Sequence, residues 1–205
     1  LDIDEFLTAI CAIRKRAVVD RFFANYVPKK HQFTDSYKYA SIMRLDLKEH
    51  FRLTAFYLKY YDSREELLLG YDPGHFSSIV VAQERKQGTE LRVLKEFTCY
   101  YPQQQPELAS AIHEFFGSDV KNKRIRLYYD RAGNKKKEDF EAITTDARIL
   151  KRELESFGFS VELMNEGQST IYYWQQFKLL LLVFGEQSNA FPRVQVDENE
   201  CPNLC

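Results

Sequence analysis

The stretch LLLGYDPGHFSSIVVAQE, residues 67–84, decides the fold of this chain. A run of leucines ends at Asp72, a Pro-Gly turn follows, and a β-branched run returns at once. This pattern predicts an antiparallel hairpin whose first strand is buried. A carboxylate at the end of a buried strand is costly unless it is paired or binds a cation. Asp72 therefore predicts a second acidic residue nearby, with which a bound cation would be shared.

An alternating series of strands and helices extends outward from this hairpin. Strands are predicted at REELLLGYD, FSSIVVAQER, ELRVLKEFTCYY, KRIRLYYD and FSVELMN, with RVQVD as a small extra strand. Helices are predicted over QPELASAIHEFFGS, residues 138–157 and STIYYWQQFKLLLLVFGE. Because the first two connections are short and polar, the first three strands form an antiparallel meander. Helical crossovers then favour a mixed five-stranded α/β sheet, in which the fourth strand lies beside and parallel to the first.

The second acid is Asp130, which ends the fourth strand in IRLYYD. Open α/β sheets bind ligands beyond the carboxyl ends of their strands, where the chain changes direction, so we expect Asp72 and Asp130 at one edge. Carboxylate oxygens suit Mg²⁺ or Mn²⁺, and two such ions support hydrolysis at phosphorus. Each acid also has a structural interpretation, as a turn residue or as a solvated strand end. Their joint occurrence in this element order favours the metal site.

A run of basic residues follows Asp130. It contains Arg131, Lys135, Lys136 and Lys137, and Lys121, Lys123 and Arg124 come shortly before the acid. Such side chains bind the phosphates of double-stranded DNA without sequence preference. A solvated charged loop explains the run equally well, so both interpretations stay open.

Other candidate residues have a simpler structural explanation. His75 follows the Pro-Gly turn and is interpreted as an ordinary loop histidine. Aromatic side chains able to stack on bases are expected in the core instead; they are Tyr128, Tyr129, Tyr172, Tyr173 and Trp174.

Composition limits the remaining possibilities. The 205 residues are 44% hydrophobic, which allows one large domain, alone or with an appendage. A net charge of -1 does not exclude a nucleic-acid partner, because a basic patch can occur within a balanced composition. No apolar run approaches the roughly 20 residues that span a bilayer, so we expect no membrane partner. The acidic start LDIDEF does not resemble a secretory signal.

The N-terminal part lacks the regular pattern of the rest. Helical spacing predicts a helix over residues 4–27 and another near residues 46–60. We therefore predict a mostly helical N-terminal appendage, residues 1–62, and an α/β domain, residues 63–205.

The element order, with an acid on the first and fourth strands, resembles the RNase H-like nuclease fold. Three segments within it resemble the nuclease domain of the large terminase subunit of tailed bacteriophages and prophages: LLLGYDPGHFSSIVVAQE, IRLYYDRAGN and LKRELESFGFSVELMNEGQSTI. This resemblance covers most of residues 64–205. The segment DRFFANYVPKKHQFTD resembles, more loosely, the stretch that joins the ATPase of such a subunit to its nuclease.

The resemblance implies a metal-dependent endonuclease that cuts concatemeric double-stranded viral DNA during genome packaging. Two Mg²⁺ or Mn²⁺ ions would be held by Asp72 and Asp130. The small terminase subunit and the portal protein are the implied partners, and the cytoplasm of the bacterial host is the implied location. No G-x-x-x-x-G-K-[ST] loop occurs in the sequence, so the chain as given is not expected to be the packaging ATPase. The resemblance implies that residues 1–62 are a linker from a preceding ATPase domain.

The sequence departs from the family at the third metal ligand, an acid on a helix after the last strand. Asp197 and Glu198 come too early for that position, so we expect this ligand beyond Cys205, in a nuclease domain truncated at its C-terminus. The chain as given is then expected to bind metal weakly and to cut poorly. Two alternatives stay open: a catalytically idle RNase H-like module that docks on partners or grips DNA, and another RNase H-like nuclease, such as a resolvase or transposase core.

Overall fold

The computed structural model describes residues 25–43, 52–129, 131–134, 136–138, 143–166, 173–186 and 188–204. Its strands are β1 Gln32–Phe33, β2 Leu67–Asp72, β3 Phe76–Arg85, β4 Glu90–Tyr100, β5 Arg124–Tyr129, β6 Lys136–Glu138, β7 Ile143–Thr145, β8 Ser160–Leu163 and β9 Arg193–Asp197. Its α-helices are α1 Pro28–His31, α2 Tyr39–Ile42, α3 Gln105–Phe116, α4 Asp146–Ser156 and α5 Tyr173–Gly185.

Seven of these strands form one mixed sheet in the order β1-β9-β4-β3-β2-β5-β8. The first three predicted strands, β2, β3 and β4, are an antiparallel meander. The fourth, β5, lies beside and parallel to β2, and the fifth, β8, lies parallel to β5. The predicted α/β class and the predicted neighbours of the first strand are therefore confirmed. The small strand β9 joins the sheet parallel to β4 and also pairs with the two-residue β1.

The alternation of side chains along β2 separates the two faces of the sheet. Leu67, Leu69 and Tyr71 are buried in one core cluster together with residues of α3 and α4, and we call this side the helical face. Leu68 points to the opposite face and packs in a second, smaller cluster with Ala82. Burying an aliphatic side chain of this size contributes about 1.5–3 kcal/mol, so a one-residue shift of β2 would be strongly unfavourable.

The helix predicted over residues 138–157 is shorter than expected. Residues 136–138 and 143–145 pair as the antiparallel strands β6 and β7, and α4 begins only at Asp146. The β-branched run Ile143-Thr144-Thr145 has a low helix propensity and a high strand propensity. Thr145 also caps the helix, because its side-chain oxygen accepts a hydrogen bond from the backbone N–H of Arg148 at 3.3 Å.

The N-terminal part also differs from the prediction where the structure describes it. Residues 52–60 contain only the 3₁₀ turn Ala55–Tyr57 instead of a helix. Their backbone groups pair elsewhere, since Lys38 N–H donates to Tyr57 O at 2.8 Å and Lys59 N–H donates to Ser36 O at 2.8 Å. The helix predicted over residues 4–27 lies almost entirely outside the described residues, as do residues 44–51.

The same part of the chain contributes to the core. Ala55 and Leu58 are fully buried in the cluster that contains Leu67 and Leu69 of β2. The domain boundary at residue 62 stays a prediction. Within the described ranges, no helix has the length and apolar character to cross a bilayer.

Candidate active site

Asp72 is the last residue of β2, and its side chain is exposed. Because Tyr71 faces the helical layer, alternation along the strand directs Asp72 to the opposite face. Ser78 of β3 lies directly across from it in the antiparallel register. The turn after Asp72 is held by Ser77, whose hydroxyl donates to Gly74 O at 2.9 Å and accepts from Gly74 N–H at 3.2 Å. Since the carboxylate itself is exposed, it avoids the penalty that its place at the end of a buried strand implied.

The neighbouring strand β5 ends beside Asp72. Tyr71 lies opposite Tyr129 in the parallel register, and both side chains are buried on the helical face. The ends of the first and fourth strands are therefore adjacent, as predicted. Asp130, which follows Tyr129, lies outside the described residues.

A buried polar network lies beneath these strand ends on the helical face. Gln105 Nε2, at the start of α3, donates to Tyr71 Oη at 2.8 Å and to Asp146 Oδ1 at 2.6 Å. All three residues are buried, and burial raises the pKa of the Tyr71 phenol above its usual range. The network joins β2, α3 and α4 just below the carboxyl edge of the sheet.

Sequence reasoning missed Gln105 and Asp146. Asp146 was placed inside the predicted helix over residues 138–157, whereas it is the first residue of α4. A Thr-Asp pair after a β-branched run is a helix-start signal that could have identified its position. Its contact with Gln105 could not have been inferred, because the two residues are far apart in the sequence.

Asp197 has a structural role at the end of β9. It is 1% exposed, and its Oδ1 accepts hydrogen bonds from the Ser36 hydroxyl at 2.5 Å and from the backbone N–H groups of Asn199 and Glu200 at 3.1 and 3.2 Å. Burial raises its pKa, partly offset by these hydrogen bonds. Three strand spacings, about 14 Å, separate β9 from β2. Asp197 is thus remote from Asp72, in agreement with its exclusion as the third metal ligand.

The predicted basic residues divide into two groups. Arg131 lies in the 3₁₀ turn Arg131–Asn134 and Lys136 begins β6, and for both only the backbone is described. Lys135 lies outside the described residues.

The second basic group lies at the amino end of β5. Arg124 begins β5, five residues or about 16 Å from Tyr129, and Lys121 and Lys123 precede it. Arg124 forms an ion pair with Glu162 at 2.7 Å. Strand direction places this group at the edge of the sheet opposite to Asp72, and the choice between DNA contact and a solvated charged surface stays open for it.

The aromatic predictions have mixed outcomes. Tyr129 is buried in the core as expected, but Tyr128 is 37% exposed. Tyr172 lies outside the described residues, and only the backbone is described for Tyr173 and Trp174. His75 is exposed in the turn, with its ring centroid 5.9 Å from that of Tyr101.

Comparison with known proteins gives structural neighbours only. No family model matches the sequence, and no curated protein matches it. The nuclease domain of the bacteriophage P22 large terminase is 12% identical, with 91% of this chain and 76% of that chain covered and a TM-score of 0.49. The chain is similar to terminase nuclease domains. The α/β fold class follows from the strand order of the seven-stranded sheet.

Two further solved structures are similar to this chain. The nuclease domain of the bacteriophage SPP1 large terminase, solved with bound manganese, is 10% identical over 85% of this chain and 73% of that chain, with a TM-score of 0.41. The large terminase of a thermophilic bacteriophage is 8% identical over 89% of this chain, with a TM-score of 0.46. This chain spans 35% of the thermophilic phage protein.

Asp72 is a suitable ligand for a divalent cation at this edge. Asp72 is an exposed residue with carboxylate oxygens, the donor type that Mg²⁺ and Mn²⁺ prefer. Within the described ranges, no three His, Cys, Asp or Glu side chains are grouped closely enough to hold a metal ion. A site with three protein ligands at Asp72 would need a side chain from outside these ranges, and Asp130 is the first candidate.

Proposed function

We propose that this chain is the nuclease domain of a phage-type large terminase, a metal-dependent endonuclease that cuts concatemeric double-stranded DNA during genome packaging. The observation that supports this most directly is the parallel pairing of β2 with β5 through Tyr71 and Tyr129. Each tyrosine is followed in the chain by an aspartate, Asp72 and Asp130. This pairing supports the proposal that the two acids, which come from distant parts of the sequence, share one edge of the sheet.

Strand geometry supports a shared metal site for these two acids. Tyr71 and Tyr129 both face the helical layer, so a residue that continues β5 in extended form faces the same side as Asp72. Neighbouring strands are about 4.8 Å apart, a separation at which two carboxylates can bind common ions. An unshielded pair of like charges at this distance would be unfavourable, whereas cations between them remove the repulsion.

The proposed roles follow from this arrangement. Asp72 and Asp130 hold two Mg²⁺ or Mn²⁺ ions, which supply activation of a water molecule and stabilisation of the leaving oxygen. The exposed position of Asp72 leaves the site open to a DNA backbone. Arg131, Lys135 and Lys136 bind neighbouring phosphates and orient the duplex without reading its sequence. The small terminase subunit, the portal protein and the cytoplasm of a bacterial host belong to the same proposal.

Plasmid cleavage tests the proposal. The wild-type chain is incubated with supercoiled plasmid in Mn²⁺ and in Mg²⁺, beside Asp72→Asn and the control Glu198→Gln, which alters an exposed acid about three strands away. We expect slow nicking by the wild type and the control, and a loss of this activity by at least about 100-fold in Asp72→Asn, since even outer-shell changes at metal sites cost 10–100-fold.

A different result would favour the idle module. If none of the three proteins cuts DNA with either ion and Asp72→Asn binds both Mn²⁺ and DNA as the wild type does, Asp72 is a turn residue and the chain serves to dock or to grip DNA. If Asp72→Asn cuts as well as the wild type, the metal site lies elsewhere and the proposal is wrong.

A further inference from the structure

Four aromatic side chains lie exposed at the edge of the sheet that carries Asp72. Phe76 is 41% exposed, Tyr100 is 68% exposed and Tyr101 is 65% exposed, and His75 is exposed as well. We call these four residues the aromatic patch. Exposed aromatic rings gathered at one place mark an interaction surface more often than single exposed ones do.

The patch is held by backbone pairing. Phe76 and Tyr100 are opposite residues in the β3–β4 register, and their ring centroids are 5.0 Å apart. Tyr101 N–H donates to His75 O at 2.9 Å, which fixes the two loop ends to one another. Because Phe76 and Tyr100 lie on paired strands, a ligand that stacks on their rings has to immobilise few additional residues, and its binding loses little conformational entropy.

The patch lies within reach of the proposed site. Phe76 is two residues along β3 from Ser78, the residue opposite Asp72, and therefore points to the same face as Asp72. One strand spacing and two residues of rise place their backbones roughly 8 Å apart. This separation is about two base steps, since successive nucleotides of one strand rise by about 3.4 Å.

We propose that the aromatic patch stacks on bases that have left the duplex stack beside the phosphodiester bound at Asp72. The substrate class is accordingly double-stranded DNA with locally unpaired bases at or near the cut. This inference rests on the proposed nuclease function. Paired bases hide their faces inside the helix, so exposed rings gain contacts only from unpaired ones.

Location favours nucleic acid as the occupant over a protein. Phe76 and Tyr100 share both the face and the edge of the sheet with Asp72. A protein seated on these rings would cover Asp72, whereas DNA bound at Asp72 would itself bring bases to them. The Tyr hydroxyls and the His75 ring add polar contacts that base edges can satisfy.

DNA binding in EDTA tests the inference apart from catalysis. The probe is a 30-base-pair duplex, compared with the same duplex carrying a four-base unpaired bubble that contains 2-aminopurine. We expect the wild type to bind the bubble at least 10-fold more tightly and to quench the 2-aminopurine by stacking. Tyr100→Ala and Tyr101→Ala should each lose roughly 5- to 100-fold on the bubble and little on the duplex.

Two further variants separate stacking from loss of structure. Tyr100→Phe keeps the ring and should keep the bubble preference. Tyr39→Ala removes a ring that is 48% exposed in α2, outside the patch, and should change neither affinity. Equal wild-type affinity for both probes, or an unchanged bubble preference in both alanine variants, overturns the inference.

Cleavage of DNA by the same proteins in Mn²⁺ measures nuclease activity independently of the binding measured in EDTA. If the bubble preference depends on the rings but the wild type neither cuts DNA nor binds Mn²⁺, the patch stands as a DNA-binding surface and the nuclease proposal fails. If the wild type cuts and shows no such preference, the nuclease stands and the patch does not bind bases.

Discussion

Tyr71 lies opposite Tyr129 in the parallel pairing of β2 with β5, and an aspartate follows each tyrosine in the chain. Both tyrosines are buried, with exposures of 3% and 7%. Because side chains alternate along a strand, a one-residue slip of β5 would expose Ile125 and Leu127 as well. The core on the helical face therefore fixes the register that the proposed metal site needs.

Metal affinity should depend on Asp72 and Asp130 as a unit. Asp72→Asn and Asp130→Asn are each expected to weaken Mn²⁺ binding by at least about 10- to 100-fold, because an amide carries no charge to offset the cation. The double variant should lose little more than either single one, since both side chains bind the same ions. Isothermal titration calorimetry measures this, with Glu198→Gln as the control. Additive losses would show that the two acids act independently.

Gln105 should stabilise the fold through its two buried hydrogen bonds. In Gln105→Leu, the Tyr71 hydroxyl and the Asp146 carboxylate each lose a donor in a buried place. We expect the free energy of unfolding to fall by about 1–3 kcal/mol. Urea unfolding followed by circular dichroism measures the change. The neighbouring Gln103→Leu alters an exposed side chain and should stay within about 0.5 kcal/mol of the wild type.

His31 should make the stability of the fold depend on pH. It is 1% exposed, its Nδ1 accepts from Val27 N–H at 2.9 Å, and its Nε2 lies 3.4 Å from Glu186. Burial lowers its pKa below the usual 6.5, and nearby Lys30 and Arg193 act in the same direction, while Glu186 opposes them. The unfolded chain therefore binds the proton more readily, so stability present above pH 6.5 is lost as the pH falls below it.

The urea midpoint measured from pH 5 to pH 8 tests this dependence. The wild-type midpoint should fall toward the acidic end more steeply than that of His31→Gln, whatever the difference between the two proteins at pH 8. The matched control His75→Gln removes an exposed histidine and should keep the wild-type slope. Equal slopes in the wild type and His31→Gln would contradict the expected role.

The sequence predicted the fold where hydrophobic pattern and chain connectivity determine it. The alternation of Leu67, Leu69 and Tyr71 and the helical crossovers are sufficient to place β5 beside β2. The same reasoning failed at residues 143–145, where a β-branched run forms a strand within the range predicted to be a helix.

The site was predicted only in part, for a related physical reason. Asp72 could be found because a strand end, a turn and an acid coincide in the sequence. Gln105 and Asp146 could not, since a polar contact between elements depends on how α3 and α4 pack. The exposure of Tyr100 and Tyr101 likewise depends on which segments cover the strand ends, and local pattern carries no such information.

Salt dependence should identify the basic residues that bind DNA. Arg131→Ala and Lys136→Ala should each weaken duplex binding about equally for all sequences, because phosphate contacts carry no sequence information. Each should also reduce the slope of log affinity against log salt by about 1, the effect of losing one phosphate contact. Fluorescence anisotropy between 50 and 200 mM salt gives the slope. Lys121→Ala removes an exposed charge that precedes β5, at the edge away from Asp72, and should leave the slope of log affinity against log salt unchanged. A larger effect of Lys121→Ala would place the DNA at the amino ends of the strands and would contradict the proposed site.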